Sequence, residues 1–105
     1  MTKFKYYSDA SHGWLAVKNK YLDMVDMKHE DFTPYSYKKG DTAYLEEDVD
    51  MHRFLDKWLA KGYDFELVEI DAGKRCVIRN YDYIRPPHWV HDATVIINDA
   101  YPIKG

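Results

Sequence analysis

Between Tyr35 and Gly62 the spacing of apolar residues changes once, and that change constrains the fold more than any other feature. From Tyr35 to Leu45 the pattern has a period of two. Tyr35 and Tyr37 share one side of a strand, Lys38-Lys39-Gly40-Asp41 has the composition of a turn, and Thr42 to Leu45 returns as a second strand. From Asp48 the interval lengthens to three or four, and Met51, Phe54, Leu55, Trp58 and Leu59 fall on one side of a helix. Asp48 or Asp50 is the expected N-cap, because a carboxylate there accepts amide hydrogens that the first turn leaves unpaired. Lys57 and Lys61 suit the negative end of the helix dipole, and Gly62 is the expected stop. A hairpin running straight into an amphipathic helix requires a sheet for that helix to cover.

The flanking segments supply the sheet. Phe4 to Tyr7 alternates as a strand, Ser8 to Gly13 reads as a turn with Gly13 at positive φ, and Trp14 to Val17 returns. Lys18 to Met27 reads as a short helix that groups Tyr21, Leu22, Met24 and Val25. Lys28 to Asp31 is a charged connector closed by Pro34. Phe65 to Ile70 is a strand, Asp71-Ala72-Gly73-Lys74 a turn, and Arg75 to Tyr83 a further strand, before Arg85-Pro86-Pro87 breaks the pattern. The order β-β-α-β-β-α-β-β predicts an α+β fold: an antiparallel sheet built from hairpins, with two short helices on one face. At 105 residues the chain holds one core. The expected domain spans 1–85. Residues 86–105 form a C-terminal extension, either an edge strand or a partner-binding tail.

Charge and composition narrow the function classes. The formal net charge of −3 argues against general nucleic-acid binding, which requires a cationic excess. Acid concentrates between residues 41 and 70, most densely in the corner Glu46-Glu47-Asp48-Val49-Asp50. Ten tyrosines bring the aromatic share to 16%, and rings of this kind build either a core or a recognition face. A lone cysteine, Cys76, excludes an internal disulfide and fits a reducing compartment. The stretch from Met1 to Tyr7 lacks the apolar core of a secretory leader, and no run approaches membrane-spanning length, so a cytoplasmic location without membrane contact is expected.

Several constellations are candidates for chemistry, each beside a plainer reading. Carboxylates at Glu46, Glu47 and Asp48 suit acid–base or cation chemistry, yet also complement a helix N-terminus. His12 lies in a glycine turn beside Trp14, where it either contacts a ligand or bonds the backbone. Tyr35, Tyr37, Tyr44, Tyr81 and Tyr83 alternate on strands, so several share a sheet face, and with Arg79 they suit a partner surface or a base-stacking platform. Cys76 falls inside a strand pattern, where a buried inert thiol is the default. His88, His91 and Asp92 show part of a zinc spacing but lack further ligands, so neither a metal nor a cofactor is expected. Without a phosphate-binding loop, a dinucleotide fingerprint or a nucleophile triad, an enzyme is disfavoured. Were it one, His12, Glu47 and Arg79 are the catalytic candidates.

Four pieces of the chain carry a resemblance: Asp9-x-x-His12-Gly13-Trp14-Leu15-Ala16-Val17, Tyr35-Ser36-Tyr37 with Gly40, Tyr44-Leu45-Glu46-Glu47-Asp48-x-Asp50, and Ile78-Arg79-x-Tyr81. In that order and spacing they resemble a family of small uncharacterised proteins encoded by bacteriophages and plasmids. The resemblance covers residues 4 to about 85 and implies a viral setting without a catalytic residue. Family members often carry cysteine where this chain has Val49. Small acidic phage proteins of this class commonly bind and modulate a host protein, including components of restriction or CRISPR defence. The expectation is therefore an accessory protein that binds a host protein through Tyr35, Tyr37, Glu46, Glu47, Asp48, Arg79 and Tyr81. The alternative is a small nucleotide- or nucleic-acid-acting enzyme, or a ligand-binding domain, built on a His/carboxylate/Arg cluster. Nucleic acid is the less favoured partner.

Overall fold

The hairpin-plus-helix unit forms as its periodicity dictates. Strands β3 (Tyr37–Lys39) and β4 (Thr42–Glu46) pair antiparallel around Gly40, whose φ of 60° supplies the left-handed turn position. Helix α2 (Asp50–Ala60) follows, with Phe54, Leu55 and Trp58 buried. It ends at Gly62, where φ is 89°. Leu59, expected on the inward side, is half exposed instead. The computed structural model of the chain describes residues 1–85. The expected extension 86–105, with His88, His91 and Asp92, lies outside the described residues.

The remaining elements are β1 (Thr2–Ser8), β2 (Gly13–Lys18), α1 (Asn19–Met24), β5 (Phe65–Asp71) and the two-residue β6 (Asp82–Tyr83). Together they make an α+β fold whose sheet has the strand order β5-β1-β2-β4-β3-β6. Phe4, Leu15, Val17, Ala43 and Leu45 project from one face into the main core. Both helices cover that face through Leu22, Phe54, Leu55 and Trp58. Phe4 packs edge-on against Phe54 and Trp58 at 5.5 and 5.4 Å between ring centres. No described helix is long and apolar enough to cross a membrane.

One pairing departs from the all-antiparallel expectation. β5 runs parallel to β1, with Phe4 opposite Leu67 and Tyr7 opposite Ile70. The cause is topological. β4 is antiparallel to β2, and β2 to β1, so β4 and β1 point the same way. Helix α2 carries the chain back along the sheet, and the strand that follows must repeat the direction of β4. β5 then adds to the free edge of β1. Its exposed Glu66, Glu69 and Asp71 place charge on that edge, which opposes pairing with another chain.

Four local expectations are corrected. Gly13 opens β2 and is not a positive-φ turn residue. It must be glycine because an added Cβ would stand 2.0 Å from the Tyr6 hydroxyl and 2.4 Å from its ring carbon. Helix α1 stops at Met24, short of Met27. A Schellman turn closes it, with Asp26 at φ 57° and the Met27 N–H donating to the Leu22 carbonyl at 3.0 Å. Neither Asp48 nor Asp50 caps α2. Val49 occupies the cap without a side-chain bond, and Asp50 turns inward. The predicted strand Arg75 to Tyr83 is mostly a 3₁₀ turn over Val77–Asn80, with Cys76 and Ile78 buried on Trp14, the Cys76 N–H held by Asp9, and only Asp82–Tyr83 left as strand.

Candidate functional site

The second face of the sheet carries Tyr7, Trp14, Ala16, Tyr37, Tyr44 and Glu46, the alternate residues of the strands that build the core. The segment from Ala72 to Tyr81 folds over one end of it. Cys76 and Ile78 bury themselves on Trp14, with Tyr7, Tyr37, Tyr44 and Tyr81 around them. This small second core holds the thiol 2% exposed, away from reagents.

Asp9 fastens that segment down. Its Oδ1 accepts the Ser11 and His12 N–H groups at 3.0 and 2.9 Å, shaping the β1–β2 loop. Its Oδ2 accepts the Cys76 N–H at 2.9 Å and Arg79 Nε at 2.7 Å, and Arg79 Nη2 reaches Oδ1 at 3.1 Å. The Arg79 guanidinium beside it and these amides hold the Asp9 carboxyl well below the usual carboxylate range. The same guanidinium lies 5.1 Å from the centre of the Trp14 ring.

Between this anchored segment and the start of α2 lies a pocket of about 330 Å³. Trp14, Tyr35, Tyr37 and Val49 form its apolar walls, and His12, Glu46, Asp48 and Arg79 supply its polar groups. Tyr35 and Val49 stand at the rim, 63% and 46% exposed. Trp14 meets Tyr37 edge-on at 6.1 Å, and Tyr37 stacks on Tyr83 at 5.4 Å. Burial raises the Tyr37 hydroxyl above its ordinary value, with Tyr83 adding to the effect.

The acidic corner is wired from behind. Asp50 is fully buried and accepts the Thr33 N–H, the Thr33 hydroxyl at 2.8 Å and the Ser36 hydroxyl at 2.5 Å. Ser36 Oγ in turn accepts the Glu46 N–H at 2.9 Å. Glu46 Oε2 accepts the Asp48 N–H at 2.9 Å. Burial raises the Glu46 carboxyl, and the neighbouring Asp48 carboxylate raises it further against the lowering effect of the backbone amides. The pocket therefore offers a carboxyl that holds its proton longer than usual beside one open to solvent. Arg79 presents a guanidinium whose charge Asp9 already matches.

Of the residues singled out from the sequence, His12, Tyr35, Tyr37, Glu46, Asp48 and Arg79 meet at this pocket. Glu47 and Tyr81 do not. Glu47 turns to the opposite side of β4 and accepts the Tyr6 hydroxyl at 3.1 Å, which dissolves the His12, Glu47 and Arg79 grouping. Tyr81 packs on Tyr44 at 5.1 Å under Lys39. Sequence reasoning missed Asp9, Trp14 and Val49 as site residues. Asp9 looks like an ordinary turn residue until Arg79 is folded onto it. Trp14 carries a further mark: its buried indole N–H has no partner among the described residues. Among those residues no group of three or more His, Cys, Asp or Glu is arranged to hold a metal ion. Compared with protein-family models, curated proteins and solved structures, the chain matches none.

Proposed function

We propose that this chain is a recognition protein that binds a partner protein through the pocket between the Ala72–Tyr81 segment and the start of α2. One observation carries the reading. Two exposed apolar side chains, Tyr35 and Val49, rim an aromatic-walled pocket large enough for one partner side chain. Interfaces take their binding energy from such anchors, with Tyr, Trp and Arg over-represented. The carboxyls of Glu46 and Asp48 supply acceptors for a polar group on the inserted side chain. The resemblance to phage and plasmid proteins makes a host protein the expected partner and interference with a host defence system the expected consequence.

The test compares tagged wild-type protein with a Tyr35→Ala/Asp48→Asn variant in capture from bacterial lysate. Both side chains are exposed, so the variant keeps the fold, which a thermal melt verifies. One stoichiometric host protein held by the wild type and lost by the variant supports the reading. An empty capture, or a protein retained equally by both, overturns it.

A second reading rests on the pocket's size, which falls at the lower end of the range for small-ligand sites, about 300–1,000 Å³. His12, Glu46 and Asp48 around one cavity suit a small planar ligand such as a nucleotide base. Saturable stabilisation by one member of a nucleotide panel, abolished by Glu46→Ala, distinguishes this reading from a protein partner.

A further inference from the structure

Beyond the aromatic spine, the same sheet face changes sign. Lys3 and Lys5 of β1, Lys18 at the end of β2 and Lys20 at the start of α1 line one shallow cleft of about 340 Å³, together with Tyr7, Tyr44 and Ala16. All four lysines are exposed. Their grouping follows from register. Lys3 and Lys5 stand on alternate residues of β1, on the order of 7 Å apart. Lys5 pairs with Ala16, and Lys18 pairs with Thr42, so the ammonium groups surround a floor of small and aromatic side chains. Lys39 extends the row, its Nζ 4.8 Å from the Tyr81 ring. Acid is sparse here. Lys18 approaches Asp41 at 3.9 Å with both side chains open to water, and Glu66 is the register partner of Lys3. Lys3, Lys5 and Lys20 make no ion pair among the described residues.

The geometry points to a second binding site, beyond the partner pocket, for single-stranded nucleic acid: phosphates on the lysines, unpaired bases on Tyr44 and Tyr7. Charge complementarity favours an anionic occupant, because four like charges gathered round one cleft attract a polyanion and repel cations. The aromatic floor selects among polyanions. Tyr44 and Tyr7 meet edge-on at 6.3 Å between ring centres within the cleft, and the cleft's four lysines surround these two rings. Bases in a duplex are already stacked and cannot use such rings, whereas those of a single strand can. Acidic peptides fit the lysines but have nothing to lay on the rings. The acidic net charge of the chain conceals this site, because it is a sum over all residues and carries no information about position.

The test is a fluorescence-anisotropy titration of the full-length protein with a short fluorescein-labelled oligo(dT), between about 50 and 200 mM salt. Binding is expected to weaken linearly on logarithmic axes. Each of Lys3→Gln, Lys5→Gln, Lys18→Gln and Lys20→Gln should lower the slope by about 0.7. Tyr44→Leu should weaken binding about tenfold with the slope unchanged, while Tyr44→Phe, which keeps the ring, should leave it intact. Four outcomes overturn the assignment: no binding at the lowest salt, binding unaffected by the lysine substitutions, preference for duplex over single strand, or displacement of the oligonucleotide by polyglutamate as readily as by unlabelled oligo(dT). The last would mark an acidic-protein surface instead. All four lysines are exposed, so their variants remain folded and the result stands whatever Tyr44→Leu does to stability.

Discussion

Asp9 and Arg79 stand 70 residues apart in sequence and meet in a two-pronged ion pair, Nε to Oδ2 at 2.7 Å and Nη2 to Oδ1 at 3.1 Å. The same carboxylate organises the β1–β2 loop and accepts the Cys76 N–H at 2.9 Å. One side chain thus shapes the His12 loop and clamps the segment that roofs Trp14. Asp9→Asn removes the charge and leaves the oriented donors facing a weaker acceptor. The expected result is release of the Ala72–Tyr81 segment while the main core persists. Iodoacetamide modification of Cys76 should become fast, and acrylamide quenching of tryptophan emission should rise. Unchanged thiol reactivity would show that the second core holds without the clamp.

Glu46 makes the stability of the fold depend on pH in a defined direction. Its carboxyl titrates above the ordinary value when folded, so folding favours the protonated form. That contribution is full below about 4.3, the unfolded value, and is lost as pH rises through the folded one. Asp9 acts in the opposite sense, its contribution being present above about 3.9 and lost as pH falls toward its depressed folded value. Glu46→Gln isolates the first effect, because the amide oxygen still accepts the Asp48 N–H. The variant should exceed the wild type in urea midpoint at neutral pH, and the gain should vanish in acid. A gain independent of pH would contradict the assignment.

Gly13 exists to let Tyr6 reach Glu47. The Tyr6 hydroxyl donates to Glu47 Oε2 at 3.1 Å, and burial together with that carboxylate pushes its pKa up to about 12. A methyl group at position 13 would overlap the phenol, so Gly13→Ala should cost about 1–3 kcal/mol by overpacking. In a double-mutant cycle with Tyr6→Val the two losses should be less than additive, because removing the ring makes room for the methyl. Strict additivity in urea denaturation would place the cost in the backbone instead.

Two buried tryptophans differ in one bond. Trp58 donates its indole N–H to the Asp64 carbonyl at 2.9 Å, whereas the Trp14 N–H has no acceptor among the described residues. Both rings are essentially buried, so truncation to phenylalanine removes similar apolar volume from each. Trp58→Phe forfeits a hydrogen bond and Trp14→Phe discards an unsatisfied donor. The first should therefore be more destabilising by about 1–3 kcal/mol. Equal losses in chemical denaturation would mean that Trp14 has an acceptor in solution.

What could be read from the residues was what short range decides. The change of period at Asp48, the turns at Gly40 and Gly73, the helix stop at Gly62, and the stripe Phe54, Leu55 and Trp58 each depend on neighbours within a turn or a hairpin, and the element order followed from them. The aromatic pairings of Tyr37 with Tyr83 and of Tyr44 with Tyr81 were legible only as a shared face, because alternation assigns a side and not a neighbour.

Tertiary structure decided the rest, for physical reasons that act across the chain. A strand's register sends each residue to one face or the other. It placed Glu46 in the pocket and Glu47 against Tyr6, although the two are adjacent in one acidic run. The direction of β5 came from the path of α2. The fate of Cys76 and Ile78 came from the buried face of Trp14 and the reach of Asp9, which outweigh the strand propensity of that segment. Net charge is a sum over the chain and is blind to position, so an acidic sequence still folds into a sheet face with carboxyls at one end and lysines at the other.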